Sequence, residues 1–202
     1  MENYRLEGKT FVIDDYDRLP AFSSFLPGLA GVKGIPMWTF YTNRGQGMNS
    51  FGIDNKGNAI MEFNSANTAF ENTTVKGFRT FLKIDGEYYE PFFKYEKEAK
   101  RQIRMNKNSF KIIETNEKYG IEVTVNYFIL PNESIGALVR QVSVKNISDS
   151  AKDIEVIDGL PKIITYGISN GEFKEMSNLF KSWAYIKNID NKVPYYTLRA
   201  ST

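Results

Sequence analysis

The stretch FRTFLKIDGEYY, Phe78–Tyr89, decides the fold class. Phe78, Thr80, Leu82 and Ile84 alternate with Arg79, Phe81 and Lys83. A repeat of two sends successive side chains to opposite faces, as a half-buried strand requires. Asp85-Gly86 follows at once, and Glu87-Tyr88-Tyr89 resumes the pattern. A two-residue Asp-Gly link joins antiparallel strands, because a type I′ turn needs positive φ at both central positions. The unit is a β-hairpin.

The same grammar extends outward. Phe51–Ile53 and Ala59–Phe63 flank the turn-rich DNKGN of residues 54–58. Phe110–Thr115 and Ile121–Ile129 flank NEKYG, and Ile121, Val123, Val125, Tyr127 and Ile129 share one face. Ala137–Lys145 and Asp153–Asp158 read as a further pair around Asn146–Ser150. Many short strands joined by turns predict a mainly β chain, an antiparallel β-sandwich spanning residues 1–202 as one domain. Plentiful aromatic side chains (14%) suit a pleated core.

Two features near the C-terminus stand apart. From Glu172 to Ile186, Phe173, Met176, Leu179, Phe180 and Trp183 recur at helical spacing after a Ser169-Asn170-Gly171 entry, which predicts one helix covering a sheet edge or end. Val193–Ala200 reads as a new strand with no partner in view. An unpaired terminal strand is a liability, so the domain is expected to be incomplete at its C-terminal end.

Composition narrows the functional classes. The 26 basic and 24 acidic residues leave a net charge of +2, too small a field to imply nucleic acid or anionic lipid as partner. The Met-Glu-Asn-Tyr-Arg start leads into no apolar stretch, and no run approaches the ~20 apolar residues of a membrane helix. With no Cys as well, a cytoplasmic location is the expectation. The chain also has no His. Cys–His dyads, Ser–His–Asp triads and His- or Cys-based metal centres are therefore excluded, and no metal is expected.

Polar groups concentrate in two places. Seven Lys and Arg (94, 97, 100, 101, 104, 107 and 111) face two Glu (96 and 98) between Lys94 and Lys111. They make either a polyanion site or, the reading preferred, the solvent face of a strand or short helix whose charges blunt an edge. Leu19–Asn67, rich in Gly, Pro and aromatics, reads as an ordered loop. Within it Asn43, Arg44 and Gln46 combine amides with a guanidinium beside Trp38, Phe40 and Tyr41, a composition that sugar sites use. The alternative is a glycine-rich connection whose amides satisfy loop backbone. Gly45-x-Gly47 is no dinucleotide fingerprint, since Ser50 stands where the third Gly belongs. Asp14 with Asp15, and Glu62 with Asp54, read as surface carboxylates.

Phe22–Gly47 (FSSFLPGLAGVKGIPMWTFYTNRGQG), Phe51–Asn67 (FGIDNKGNAIMEFNSAN) and Lys76–Lys83 (KGFRTFLK) resemble the start of 1,2-β-oligoglucan phosphorylases, in the cellobiose-phosphorylase-like glycoside hydrolase family 94. Leu130–Ser148 and Ile154–Gly167 are similar to that group's N-terminal domain. The resemblance implies a β-supersandwich, galactose-mutarotase-like in fold, that precedes a helical α/α-barrel. It implies inverting phosphorolysis of a β-glucan by the complete protein, with inorganic phosphate as co-substrate and no cofactor. The acid and the phosphate site of such enzymes lie in the barrel, so no catalytic residue is expected here. The implied partners are a β-glucan oligosaccharide, the barrel of the same polypeptide and a second copy in a homodimer. Asn43, Arg44 and Gln46 would then border the sugar site. A free-standing carbohydrate-binding module is the alternative. A sugar mutarotase is disfavoured by the missing His.

Overall fold

The computed structural model describes residues 3–94 and 96–199, apart from the side chains of Pro27 and Lys181. It is a mainly β protein of antiparallel sheets. The largest sheet has six strands in the order β1 (Tyr4–Glu7), β2 (Thr10–Asp14), β9 (Ala99–Met105), β10 (Ser109–Asn116), β11 (Ile121–Ile129) and β12 (Leu138–Asn146). A four-stranded sheet runs β3 (Ser23–Ala30), β4 (Ile35–Thr42), β5 (Met48–Ile53), β6 (Ala59–Met61). A three-stranded sheet runs β13 (Ile154–Gly159), β7 (Arg79–Ile84), β8 (Glu87–Tyr89).

One core joins all three. The inward faces of β10 and β11 supply Phe110, Ile112, Ile121, Val123, Val125 and Tyr127, each at most 1% exposed. Against them pack Leu26, Tyr41 and Met48 from the four-stranded sheet and Leu82, Ile84 and Tyr89 from the three-stranded one. Sheets meeting across a shared apolar layer form a sandwich. Its closeness shows at Gly28 on β3, where an added Cβ would run into the Ile129 side chain of β11.

The hairpin of Phe78–Tyr89 forms as expected, with φ of 50° at Asp85 and 91° at Gly86. So do the β5–β6 and β10–β11 hairpins. Four expectations need correction. Residues 19–67 are a sheet followed by a helix, not an ordered loop. Pro27 is accommodated because β3 is an edge strand, where a missing N–H breaks no ladder. The strands at 138–146 and 154–159 do not pair with each other: β12 joins β11 while β13 crosses to β7. The basic segment is not an edge, because β9 lies inside the six-stranded sheet. Finally, the C-terminal strand is paired. Helix α2 (Asn170–Trp183) leads into β14 (Ala184–Lys187), which forms a two-stranded ribbon with β15 (Tyr195–Leu198). Ala200 lies outside the described residues.

Two helices accompany the sheets. Helix α1 (Ala66–Lys76), not foreseen in the sequence, lies against β5 and β4 and buries only Ala69 and Thr73. Helix α2 begins in a capping box, with the Ser169 side chain accepting from the Glu172 N–H and Glu172 accepting from the Ser169 N–H. It is broken at Ser177, where φ is 38°. Its Phe173 and Phe180 pack with Ala59 and Ile164 in a small second cluster at the β6 edge.

Candidate functional site

The turn that joins β4 to β5 carries Asn43, Arg44 and Gln46. Gly45 and Gly47 supply the positive φ it needs, and a Cβ at Gly47 would collide with the Phe110 ring. All three predicted residues therefore sit side by side, but they point into two separate networks.

Asn43 is fully buried. Its Nδ2 donates to the carbonyls of Tyr16 (2.9 Å) and Pro20 (3.0 Å), and its Oδ1 accepts from the Phe22 N–H (3.0 Å). Arg44 reaches the same segment, donating to the carbonyls of Leu19 (2.9 Å) and Asn43 (2.8 Å) with its guanidinium over the Phe70 ring. Burial lowers its pKa, although Asp17 nearby favours the charge. Gln46 turns the other way, and its Oε1 accepts from Thr80 Oγ1 and from Arg140.

Arg140 is the residue that sequence reasoning missed. It stands directly across from Tyr127 in the β11–β12 register, hence on the core face. Its Nε and Nη2 grip Asp158 on β13 at 3.1 and 2.6 Å, and Nη2 also meets Thr80 on β7 at 3.0 Å. Nη1 donates to the Tyr127 hydroxyl, and the guanidinium lies over the Phe78 ring. Thr80 and Asp158 are themselves cross-strand partners. One side chain thus ties all three sheets together. Its donors are occupied, so the cluster works as a clamp and offers no free cation to an anionic ligand. The signal for it was available: Tyr127 has the parity of the core, and its register partner must share that face.

A second buried network lies deeper. Glu114 has the core parity of Phe110 and Ile112, and Arg101 is its partner across β9–β10. Arg101 Nε donates to Glu114 at 2.6 Å and Nη1 to Asp17 at 2.8 Å, while the Phe92 N–H and the Tyr89 hydroxyl also donate to Glu114. Burial alone would lower the Arg101 pKa, but Glu114, Tyr16 and Asp17 together hold it raised. Burial also raises Tyr16, Tyr89 and Tyr127, keeping all three phenols neutral. Part of the basic segment is therefore internal wiring.

Open surface lies elsewhere, along the Pro161–Ile168 segment. Two adjoining grooves of 480 and 780 Å³ share Ile163, Thr165 and Tyr196. The smaller adds Phe173, Phe180, Ile186 and Tyr195, and the larger adds Tyr166. Tyr166 is 93% exposed, Ile186 64% and Ile163 52%. Isolated exposed apolar residues are ordinary on any protein, but a clustered set marks a contact surface. None of Asn43, Arg44 and Gln46 lines these grooves.

Among the described residues there is no group of three or more His, Cys, Asp or Glu side chains able to hold a metal ion, and no helix is long and apolar enough to cross a membrane. Comparison with protein-family models found no match, and a search of curated proteins found none either.

Proposed function

We propose that this chain is a non-catalytic β-sandwich domain of an inverting β-glucan phosphorylase. It docks through the Ile163–Tyr166–Ile186–Tyr196 grooves onto a helical catalytic domain of the same polypeptide. The resemblance of Phe22–Asn67 and Lys76–Lys83 supplies the family. The observation that carries the docking is the aromatic and aliphatic lining of the two grooves, left open to solvent. Covering such a surface removes apolar area from water at about 25 cal/mol per Å², and intrachain domain interfaces typically bury several hundred Å² or more. In the reaction a phosphate oxygen bonds to the anomeric carbon as the glycosidic C–O bond breaks. A carboxylic acid of the helical domain gives its proton to the leaving oxygen.

The test uses the complete polypeptide with short β-1,2-gluco-oligosaccharides and phosphate, following glucose 1-phosphate. Turnover is expected, together with a severalfold fall on Tyr166→Ser/Ile186→Ser substitution while the thermal midpoint of the isolated 202-residue chain is unchanged. Failure to phosphorolyse any β-glucan would sink the family assignment. Full activity of the double variant would sink the docking surface.

A further inference from the structure

One side of the sandwich is left open by β12 and β13. Strand β12 ends the six-stranded sheet and β13 ends the three-stranded one, and Arg140 on the first meets Asp158 on the second, so the two edges lie one above the other. Among the described residues β12 pairs with β11 alone and β13 with β7 alone, and no further backbone hydrogen bond reaches Leu138–Lys145 or Ile154–Gly159. Each edge therefore presents a row of unpaired N–H and C=O groups. The side chains agree. Val142 and Val144 stand opposite the sealed Val125 and Val123 of β11, and Val156 stands opposite Leu82 of β7, so all three have the inward parity. Yet Val142 and Val144 are half-buried, and Val156 is 49% exposed. The apolar layer reaches this side without being closed.

Other edges are guarded. Strand β3 carries Pro27, and β1, β6, β8, β14 and β15 are each four residues or fewer. Strand β12 runs nine residues without Pro, and its register with β11 is unbroken from Leu138 to Asn146. Its inward charge, Arg140, is taken up by Asp158 and guards nothing. An occupant has to serve two edges at once, at the spacing of two packed sheets. A second copy of the chain brings that pair. About a two-fold axis perpendicular to the sheets, antiparallel edges meet with residues of the same face opposite each other. With Val142 on the axis, Gln141 lies opposite Ser143 of the copy, Arg140 opposite Val144 and Val139 opposite Lys145. With Val156 on it, Glu155 lies opposite Ile157 and Ile154 opposite Asp158. No like charges meet in either layer.

We infer that this side is an interface between two copies of the chain, in which β12 pairs antiparallel with β12 of the copy and Val142, Val144 and Val156 of both close the apolar layer across the seam. The backbone ladder supplies affinity, and the apposed valines remove water from the seam. A nine-residue edge is about 30 Å long and lies about 10 Å from the sheet beneath it, a face on the scale of the roughly 800 Å² per partner that specific interfaces bury. None of residues 138–159 lines the docking grooves. The inference rests on the edges and holds or falls independently of the proposed function.

The experiment is sedimentation equilibrium of the 202-residue chain up to about 0.5 mM, with amide hydrogen exchange at low and high concentration. A dimer is expected, with protection that rises with concentration across β12 and β13 and stays constant in β1. Gln141 and Ser143 are exposed on the outer face of β12. Gln141→Lys/Ser143→Lys therefore sets Lys against Lys twice at the seam, and the dimer should weaken roughly tenfold. Gln141→Glu/Ser143→Glu should weaken it likewise, and mixing the two double variants should restore association through Lys–Glu pairs. A monomer at every concentration would overturn the inference. So would a dimer that neither double variant weakens, a mixture no tighter than either variant alone, or concentration-dependent protection at the docking grooves in place of β12.

Discussion

The body of the sandwich and the C-terminal stretch from Asn170 to Leu198 solve the burial problem in opposite ways. In β10 and β11 alternate residues are sealed in the core, and even the polar ones, Glu114 and Asn116, face inward with their atoms paired. In β14 and β15 most side chains face solvent, including Ile186 and Tyr195. The difference does not come from hydrophobicity, since both regions are rich in Ile, Val and Tyr. It comes from neighbours. Strands β10 and β11 have a strand on each side and two further sheets above them. The ribbon β14–β15 has only itself, and its small cluster of Ala59, Ile164, Phe173 and Phe180 buries few side chains. The body is therefore expected to be the most stable part, and the C-terminal stretch the part that opens first.

The largest effect should follow from breaking the body's internal wiring. Glu114→Ala removes the acceptor shared by Arg101, Tyr89 and the Phe92 N–H, and leaves a buried guanidinium short of its main partner. Loss of one partner from a buried pair costs about 3–5 kcal/mol. Urea denaturation should show the unfolding free energy reduced by that amount. A loss under about 1 kcal/mol would mean that Asp17 alone satisfies Arg101, and that the body's polar core matters less than its apolar packing.

A smaller and graded effect is expected from alkaline pH. Tyr16, Tyr89 and Tyr127 hold their protons above the ordinary phenol range chiefly because burial disfavours the phenolate. In the unfolded chain they ionise near pH 10. Above that pH the native state carries protons that the unfolded state has lost. Stability is therefore full below about pH 10 and falls as pH rises toward the raised native values, by up to about 1.4 kcal/mol per pH unit for each tyrosine. Urea midpoints at pH 9 and pH 11, followed with phenolate absorbance, measure the slope. Complete tyrosine ionisation near pH 10 with native circular dichroism retained would contradict it.

How much of this was readable in advance tracks the range of the interactions. The Asp85-Gly86 hairpin and the β10–β11 pair are local, so alternation and turn chemistry sufficed. Glu114 shares the core parity of Phe110 and Ile112, but it was not singled out from the sequence, and its partner Arg101 required the β9–β10 register. Strand β13 could not be assigned to β7, because that pairing spans some seventy residues and leaves no local trace. Helix α1 escaped because its buried face is only Ala69 and Thr73, too thin a stripe to show a 3.6-residue period. Strands β3 and β4 were hidden by Pro27, Gly28 and Pro36, which an edge strand and its neighbour accommodate. For the candidate site the types were visible and the directions were not. Asn43, Arg44 and Gln46 have the composition of a sugar site, yet their hydrogen bonds go to the Tyr16–Phe22 segment and to Arg140.

The mildest perturbation separates the two regions most cleanly. Ser169 and Glu172 close the first turn of α2 by exchanging hydrogen bonds at 3.2 and 2.8 Å. Ser169→Ala leaves an N–H at the helix start without its partner, at a cost of about 1 kcal/mol. That cost falls on the segment with least independent support, since α2 is already broken at Ser177 and rests on the small cluster around Phe173 and Phe180. If the C-terminal stretch opens separately, amide exchange across Asn170–Lys187 should quicken roughly fivefold, the factor that 1 kcal/mol corresponds to. The urea midpoint of the body should not move. Acid should mimic the variant, because the Ser169 N–H holds the Glu172 carboxyl below the usual carboxylate range. The cap's contribution is present above about pH 4.3 and disappears as pH falls through the lowered native value. A midpoint that shifts together with the exchange rates would show that α2 and the sandwich unfold as one unit, and that the exposed apolar grooves belong to a surface held as firmly as the core.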